Sequence, residues 1–470
     1  MPWSSVGKSG ARSALRPGSR GALVERLQER LREMGYDPGP QDGVYGHQTA
    51  EAVRDLQRDF GLRVDGIAGP QVTAVLDDPH LKNLRRQHTV APGESLADAA
   101  RHLGVSQQLL RRACGLPARR APAPGQRLVL WERIVVGEVK PGAGQAQGLR
   151  TLERRGGLVS AAAVVAGGGP DEDPAARSAV ESAAAFGLPV WLTLHGRPAP
   201  GLLPGTSEPG GTQRRLHSRR ERERFAAQAA AWCAVPAVAG VHLDLGALRF
   251  GDGPRFVALA RELAELTRAA GKQLLVSVPL AGDGRPLGPS SFGVDWGALA
   301  AWASGFVLVP PLLRARSSPP RPLSPAEIRP LVRAACRSVP PWRCLLAVPV
   351  GALVVPAKDA PGAAGGATGA ACGPSDLDVI TYTQALSLAH AARTRPRWEE
   401  AAGRPAFRVL RGEREEIVWL ENRASFAAKL DAAESCGLAG VYLSAVGEED
   451  GRLWAVLAER WKVHKPHAAG

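Results

Sequence analysis

The chain has 470 residues, 44% of them hydrophobic and 22% charged; at about 150 residues per domain this means two to four domains and excludes wholesale disorder. Its 54 Gly and 39 Pro show no Gly-X-Y period, which excludes a collagen-like rod and points to many turns and linkers. The formal net charge is +14, no apolar run reaches the ~20 residues of a membrane-crossing helix, and the first residues lack the apolar segment of a secretory signal.

Residues 1–14 read as a flexible tail. Residues 15–78 read as a compact three-helix unit. Val24, Leu27, Leu31 and Met34 recur at three- and four-residue spacing, one face of a helix that Gly35 stops. Asp42, Gly43, Val44, Tyr45 and Gly46 form a turn pattern that Asp65, Gly66, Ile67, Ala68 and Gly69 repeat. In each, Gly supplies a positive φ and Asp bonds the backbone ahead of it. Thr49 is placed to cap a second helix, whose apolar face carries Val53, Leu56 and Phe60.

That unit resembles the peptidoglycan-binding domain type 1 family. The resemblance rests on Gly18, Val24, Leu27, Gln28, Leu31, Gly35, Tyr36, the two Asp-Gly turns, Thr49, Val53, Gln57, Gly61 and Leu62. It implies a peptidoglycan ligand, with Tyr45 as a candidate contact.

Residues 86–131 form a second small module. The pattern predicts a strand at 88–90, a turn at Pro92 and Gly93, a helix capped by Ser95, a second helix capped by Ser106, and a strand at 127–130. This βααβ order resembles the LysM module. Its marks are Thr89, Val90, Pro92, Gly93, Glu94, Ser95, Leu96, Gly104, Leu109, Pro124 and Gly125, with Cys114 where an Asn is usual. The resemblance implies an N-acetylglucosamine-containing polymer as ligand, with Pro92, Gly93, Glu94 and Ser95 as candidate contacts. Residues 81–132 carry 9 Lys and Arg against 3 Asp and Glu, a surplus of six positive charges that suits an anionic polymer.

Residues 133–465 alternate short apolar runs with helical stretches. Strands are predicted at 134–137, 159–165, 189–194, 240–245, 273–278, 305–309, 344–350 and 440–443, with helices such as 222–234 and 255–270 between them. Eight β/α units predict a large (β/α)8 TIM-type barrel, so the chain reads as multidomain. Two low-complexity insertions, 314–324 and 357–376, follow strands and belong on the face where barrel active sites are built. Residues 466–470 read as a tail.

The barrel resembles glycoside hydrolase family 18, especially the branch found in bacterial spore-cortex and cell-wall hydrolases. The resemblance rests on residues 216–246, 274–279, 294–296, 346–349 and 416–419, on Ser425 and Lys429, and on 437–441, 447–450 and Trp454. It implies a substrate-assisted glycosidase chemistry, in which a Glu ending strand four protonates the leaving oxygen while the substrate's own acetamido group attacks. The family motif Asp-Gly-Val-Asn-Ile-Asp-Phe-Glu aligns here with Ala239 through Gly246. The inner Asp is kept as Asp244; the acid position is Gly246, which has no proton to give. Leu312 and Leu313 stand where a Tyr and an Asp hold the acetamido group, and Ser444 stands where a Trp floors the sugar site.

The expectation is a peptidoglycan-binding protein of the bacterial spore envelope or cell wall, made without a signal peptide in the mother-cell cytoplasm, whose barrel has lost the usual hydrolysis. The alternative is an active N-acetylglucosaminidase with a relocated acid. Asp244, His242 and Ser444 are the barrel's candidate glycan contacts, with His242 and His195 otherwise reading as satisfied core or rim histidines. Glu138, Asp171, Asp252, Asp283 and Glu448 read as solvated loop carboxylates that follow strands. The six cysteines form no CxxC pair and no zinc-like spacing, so they read as reduced, mostly buried thiols; no metal or cofactor is expected. A nucleic-acid partner lacks any motif beyond the basic charge. The sequence does not set the oligomeric state.

Overall fold

The computed structural model describes residues 14–60, 62–78, 84–117, 121–195, 216, 218–246, 248, 251–280, 294–315, 318–357, 378–412 and 414–465. Two compact units divide the chain: residues 1–133 with 459–462, and residues 134–458 with 463–470. Among the described residues no helix is long and apolar enough to cross a membrane.

In the first unit, three helices, α1 (Ala22–Glu33), α2 (His47–Asp59) and α3 (Pro70–Leu76), bury Val24, Leu27, Leu31, Val53, Leu56 and Val75 against one another. The two Asp-Gly turns are built alike. Asp42 Oδ1 accepts the Val44 N–H and Asp65 Oδ1 accepts the Ile67 N–H, both at 2.9 Å. A glutamine side chain closes each turn. Gln28 donates to Asp42 and the Val44 carbonyl and accepts from the Gly43 N–H. Gln57 donates to Asp65 and the Ile67 carbonyl and accepts from the Asp65 and Gly66 N–H groups. Gly43 and Gly66 have φ of 68° and 70°, the left-handed region these turns need. Thr49 is not the predicted cap. Gly46 is, and Thr49 sits a turn inside the helix, buried, its hydroxyl donating to the Pro38 carbonyl at 2.9 Å.

The next module runs β1 (Arg85–Thr89), α4 (Leu96–His102), α5 (Gln107–Ala113) and the first residues of β2 (Arg127–Val139), with β1 and β2 antiparallel. Ser95 and Ser106 cap the two helices as their chemistry predicts, and Ser95 forms a capping box with Asp98. Its core is small: Val90, Leu96, Ala99, Ala100, Leu110 and Leu128. The two modules form one body. The Arg85 side chain is buried over the Tyr36 ring at 4.0 Å, 3.3 Å from Asp59 and bonded to the Gly35 carbonyl, while Arg127 reaches Asp55 at 2.7 Å.

The second unit is a closed barrel of eight parallel strands: the end of β2, β3 (Ala161–Ala166), β4 (Val190–His195), β5 (Val238–Asp244), β6 (Gln273–Pro279), β7 (Gly305–Val309), β10 (Cys344–Pro349) and β16 (Gly440–Ser444). β2 pairs with both β3 and β16, which closes the ring. Alternate residues point inward, so Val136, Ala163, Leu275, Val307, Leu345 and Ala347 fill the lumen.

Two additions follow strands. After β7, β8 (Leu312–Ala315) and β9 (Ser318–Pro322) pair as a short antiparallel hairpin that overlaps the first low-complexity stretch. Between β10 and β16 the chain builds a five-stranded antiparallel sheet that sequence reading missed. Its strands are β11 (Ala352–Pro356), β12 (Asp378–Ile380), β13 (Arg397–Glu399), β14 (Arg404–Arg411) and β15 (Arg414–Trp419). Both faces are covered: Leu353, Val355, Ile417 and Trp419 on one, Val354, Phe407, Val409 and Val418 on the other. Short strands split by a Gly- and Ala-rich stretch hide this alternation in the sequence. Most of that stretch, 358–377, lies outside the described residues, as do Asp283 and Cys372. Of the other cysteines, Cys233 and Cys344 are buried, whereas Cys114, Cys336 and Cys436 are only half-buried.

Candidate functional site

All eight barrel strands run the same way, so their C-terminal ends share one face. Glu138 of β2, Thr193 and His195 of β4, His242 and Asp244 of β5, Ser277 of β6, and Tyr442 and Ser444 of β16 lie near that end. In register, Thr193 stands beside His242 and His195 beside Asp244.

The inner groups form one buried polar cluster. Tyr442 donates its hydroxyl to Glu138 Oε2 at 2.6 Å. His242 Nδ1 lies 3.2 Å from both the Tyr442 and the Thr193 hydroxyls, and its Nε2 lies 2.8 Å from Ser277 Oγ. Thr193 and Tyr442 hydroxyls are themselves 3.2 Å apart. Burial pushes the His242 pKa down to about 4, with nearby Asp244 opposing and His195 adding to the effect. Its ring is therefore neutral, donating from one nitrogen and accepting at the other. Burial also holds the Glu138 carboxyl above the usual carboxylate range, against the pull of His195 and the Tyr442 hydrogen bond. The Tyr442 hydroxyl is pushed well up by burial and by the adjoining Glu138.

The rim is different. Asp244 and His195 are half-buried, with Asp244 Oδ2 at 3.8 Å from His195 Nδ1. Asp244 Oδ1 accepts the Gly246 N–H at 3.0 Å, and Gly246 has φ 68°. Strand β5 thus ends at Asp244, and Gly246, the position that the glycoside hydrolase resemblance aligns with the acid, lies in a left-handed turn closed by that same aspartate. Leu312 is buried against Leu353, Ile417 and Trp419, packing against the added sheet; the Leu313 side chain lies outside the described residues. Ser444 ends β16 half-buried, its carbonyl accepting from Val350 N–H.

Several candidates change their reading. His242 is wholly buried with both ring nitrogens bonded inside the barrel, as the alternative reading of a satisfied core histidine describes. Glu138 and Asp252 are buried and Glu448 is mostly buried, 3.3 Å from Lys140; among the described ones only Asp171, exposed and paired with Arg177, is the solvated carboxylate expected. Tyr45 is buried with its hydroxyl donating to the Gly66 carbonyl at 2.8 Å, so it offers no ring face to a sugar. It serves the repeat instead, tying the second turn to the first.

In the second module Pro92 and Gly93 are exposed at their turn, but Glu94 and Ser95 are engaged internally. Ser95 accepts the Asp98 N–H as helix cap. Glu94 Oε1 lies 2.7 Å from His88 Nε2 and 3.1 Å from His102 Nδ1, and its Oε2 accepts the Ala91 N–H at 2.7 Å. Thr193, Ser277, Tyr442, His88 and His102 escaped sequence reading. Thr193, Ser277 and Tyr442 are single polar residues in apolar runs, His88 lies in a wholly polar strand and His102 ends a helix, and nothing local marks the partner of any of them.

Comparison with known proteins bears on both units. The family described as "Putative peptidoglycan binding domain" matches residues 20–76, and the LysM domain family matches residues 88–131. The spore cortex-lytic enzyme of Halalkalibacterium halodurans is 43% identical over 60 residues, 13% of this chain and 18% of that protein. The spore cortex-lytic enzyme of Bacillus subtilis is 47% identical over 60 residues, 13% of this chain and 20% of that protein. The chain therefore spans about a fifth of the length of the curated relatives it matches. Among solved structures, the spore cortex-lytic enzyme SleL of Bacillus megaterium superposes with a TM-score of 0.54 at 16% identity, covering 88% of this chain and 96% of that one. A chitinase from Chromobacterium violaceum gives 0.53 at 19% identity, over 70% of this chain and 98% of that one. At such identities the likeness is one of fold. The chain carries a peptidoglycan-binding domain and a LysM domain, followed by a TIM-type barrel with the fold shared by SleL and this chitinase.

Proposed function

We propose that this protein binds bacterial cell-wall glycan through its first unit and that its barrel does not hydrolyse that glycan. The ligand is peptidoglycan or another N-acetylglucosamine-containing polymer, at the spore envelope or cell wall. The two domain matches and the spore cortex-lytic relatives support the binding half.

One observation carries the second half. The acid position is Gly246, set in a left-handed turn whose N–H is held by Asp244. The leaving oxygen of a glycoside needs a proton as its bond breaks, and no side chain at that place supplies one. Asp244, which in the family orients the acetamido group, is engaged by the turn, and Leu312 in core packing.

The experiment is a sedimentation of the full chain with insoluble peptidoglycan, with the supernatant assayed for reducing ends. Co-sedimentation without release is the expected result, weakening as salt rises because exposed charge attraction is screened within ~10 Å at 0.1 M. A chain that stays in the supernatant at low and moderate salt overturns the binding half, and release of reducing ends overturns the inactivity.

A second reading has its own support, an N-acetylglucosaminidase with Glu138 as relocated acid. Burial keeps that carboxyl protonated at a higher pH than an ordinary glutamate, as a general acid requires. Against it, Glu138 is only 7% exposed and its Oε2 accepts from Tyr442. Hydrolysis by the natural chain that disappears in Glu138→Gln would establish this reading.

A further inference from the structure

We propose that His88, Glu94 and His102 form a binding site for a divalent transition-metal ion of the zinc type, a clip within the LysM module.

The three side chains come from separate parts of the module: the strand β1, the turn after it, and the last turn of α4. No motif joins them in sequence. Folding brings one ligand atom from each to within 4.8 Å of the others. The two imidazoles lie beside one another, ring centroids 4.9 Å apart, and both converge on the same carboxylate oxygen, Glu94 Oε1. The present contacts of 2.7 and 3.1 Å are hydrogen bonds. Tetrahedral zinc with bonds of about 2.0–2.1 Å holds its donors roughly 3.3 Å apart, so the ion enters when the Glu94 contacts widen from 2.7 and 3.1 Å and the two imidazole nitrogens, within 4.8 Å of one another, settle at that same spacing. Each ring then shifts its proton to the other nitrogen and offers a lone pair where it now meets the carboxylate.

Two further features suit a ligand set. The other carboxylate oxygen is held at 2.7 Å by the Ala91 N–H, the kind of outer contact that fixes a ligating carboxylate's orientation. Exposure is graded: the Glu94 side chain is 8% exposed, His88 20% and His102 66%, so two ligands are anchored and the third stands where an ion enters. Three protein donors of two nitrogens and one oxygen leave a fourth position for water. The module has reason to use such a clip. Its buried core cluster is six residues with four partly buried ones packed on it, and modules this small commonly rely on a disulfide or a metal.

The test uses the full chain without a histidine tag, stripped with chelator, then titrated with Zn2+ alone by calorimetry and with Co2+ as a spectroscopic probe. The expected result is one Zn2+ per chain, and a Co2+ spectrum with ligand-field bands but no thiolate charge-transfer band. His102→Asn, a largely exposed position whose change leaves the fold intact, is expected to weaken binding by roughly 100-fold, the upper end of the 10–100-fold loss seen even for an outer contact. Glu94→Gln should do the same. No Zn2+ retained by the natural chain, unchanged affinity in His102→Asn, or a thiolate band showing the ion on cysteines would each overturn the proposal.

Discussion

His242 shows what a single residue contributes inside a barrel. Its ring is buried and neutral, with a pKa of about 4 against 6.5 in an unfolded chain. Between those values the unfolded state binds a proton that the folded state refuses. Stability from this group is therefore full above pH 6.5 and falls by about 3 kcal/mol as pH drops to 4. Glu138, whose pKa is raised, contributes with the opposite sign, so the comparison must be between variants at each pH. His242→Gln keeps amide partners for Thr193 and Ser277 but does not titrate. The stability gap between the natural chain and this variant, read from urea midpoints, should shrink by about 3 kcal/mol from pH 7 to pH 4. An unchanged gap would remove the buried neutral imidazole. A second residue-scale test is Glu421, wholly buried and bonded to Arg404, Lys429 and Ser425. Burial, with Arg404 nearby, lowers the Lys429 pKa to about 8 despite its partner. Glu421→Gln leaves two buried cations facing a neutral amide and should cost about 3–5 kcal/mol in urea unfolding.

At the scale of elements, the two Asp-Gly turns depend on glutamines from the helix beside them. Gln28→Leu strands the Gly43 N–H, and Gln57→Leu strands those of Asp65 and Gly66. Each lost partner should cost about 1–3 kcal/mol, seen as faster hydrogen exchange in α1 and α2 with the barrel's exchange unchanged. Equal protection in the natural and variant chains would mean the turns hold themselves. The end of β5 follows the same logic with a functional consequence. Gly246→Glu forces a side chain into φ 68°, at a cost of about 1–2 kcal/mol, and places its carboxyl on a turn rather than a strand end. No reducing ends should be released by this variant; release comparable to an active chitinase would show that the acid alone was missing.

At the scale of the whole molecule, two modules that read as separate domains share one body, fastened by Arg85. Its guanidinium lies over Tyr36, beside Asp59 and on the Gly35 carbonyl. Calorimetry of Arg85→Ala should resolve the first unit's unfolding into two transitions where the natural chain shows one. A single unshifted transition would mean the modules hold together without it.

What the sequence determined by itself was short-range. Apolar spacing marked all eight barrel strands, paired Asp-Gly turns marked the three-helix unit, and cap residues marked the LysM helices, because each signal is complete within a turn or a strand. The absence of an acid at Gly246 was legible for the same reason: one position within one motif. Tertiary structure decided the rest. Tyr45 reads as a candidate glycan contact until Gly66, 21 residues away, takes its hydroxyl. Glu138 reads as a loop carboxylate until barrel closure brings it to Tyr442, 304 residues away, where both are buried. Glu94 reads as a candidate glycan contact until β1 and α4 set two imidazoles on it. A side chain's protonation and reach depend on what surrounds it, and these surroundings are assembled by strand register and closure, which no local pattern encodes.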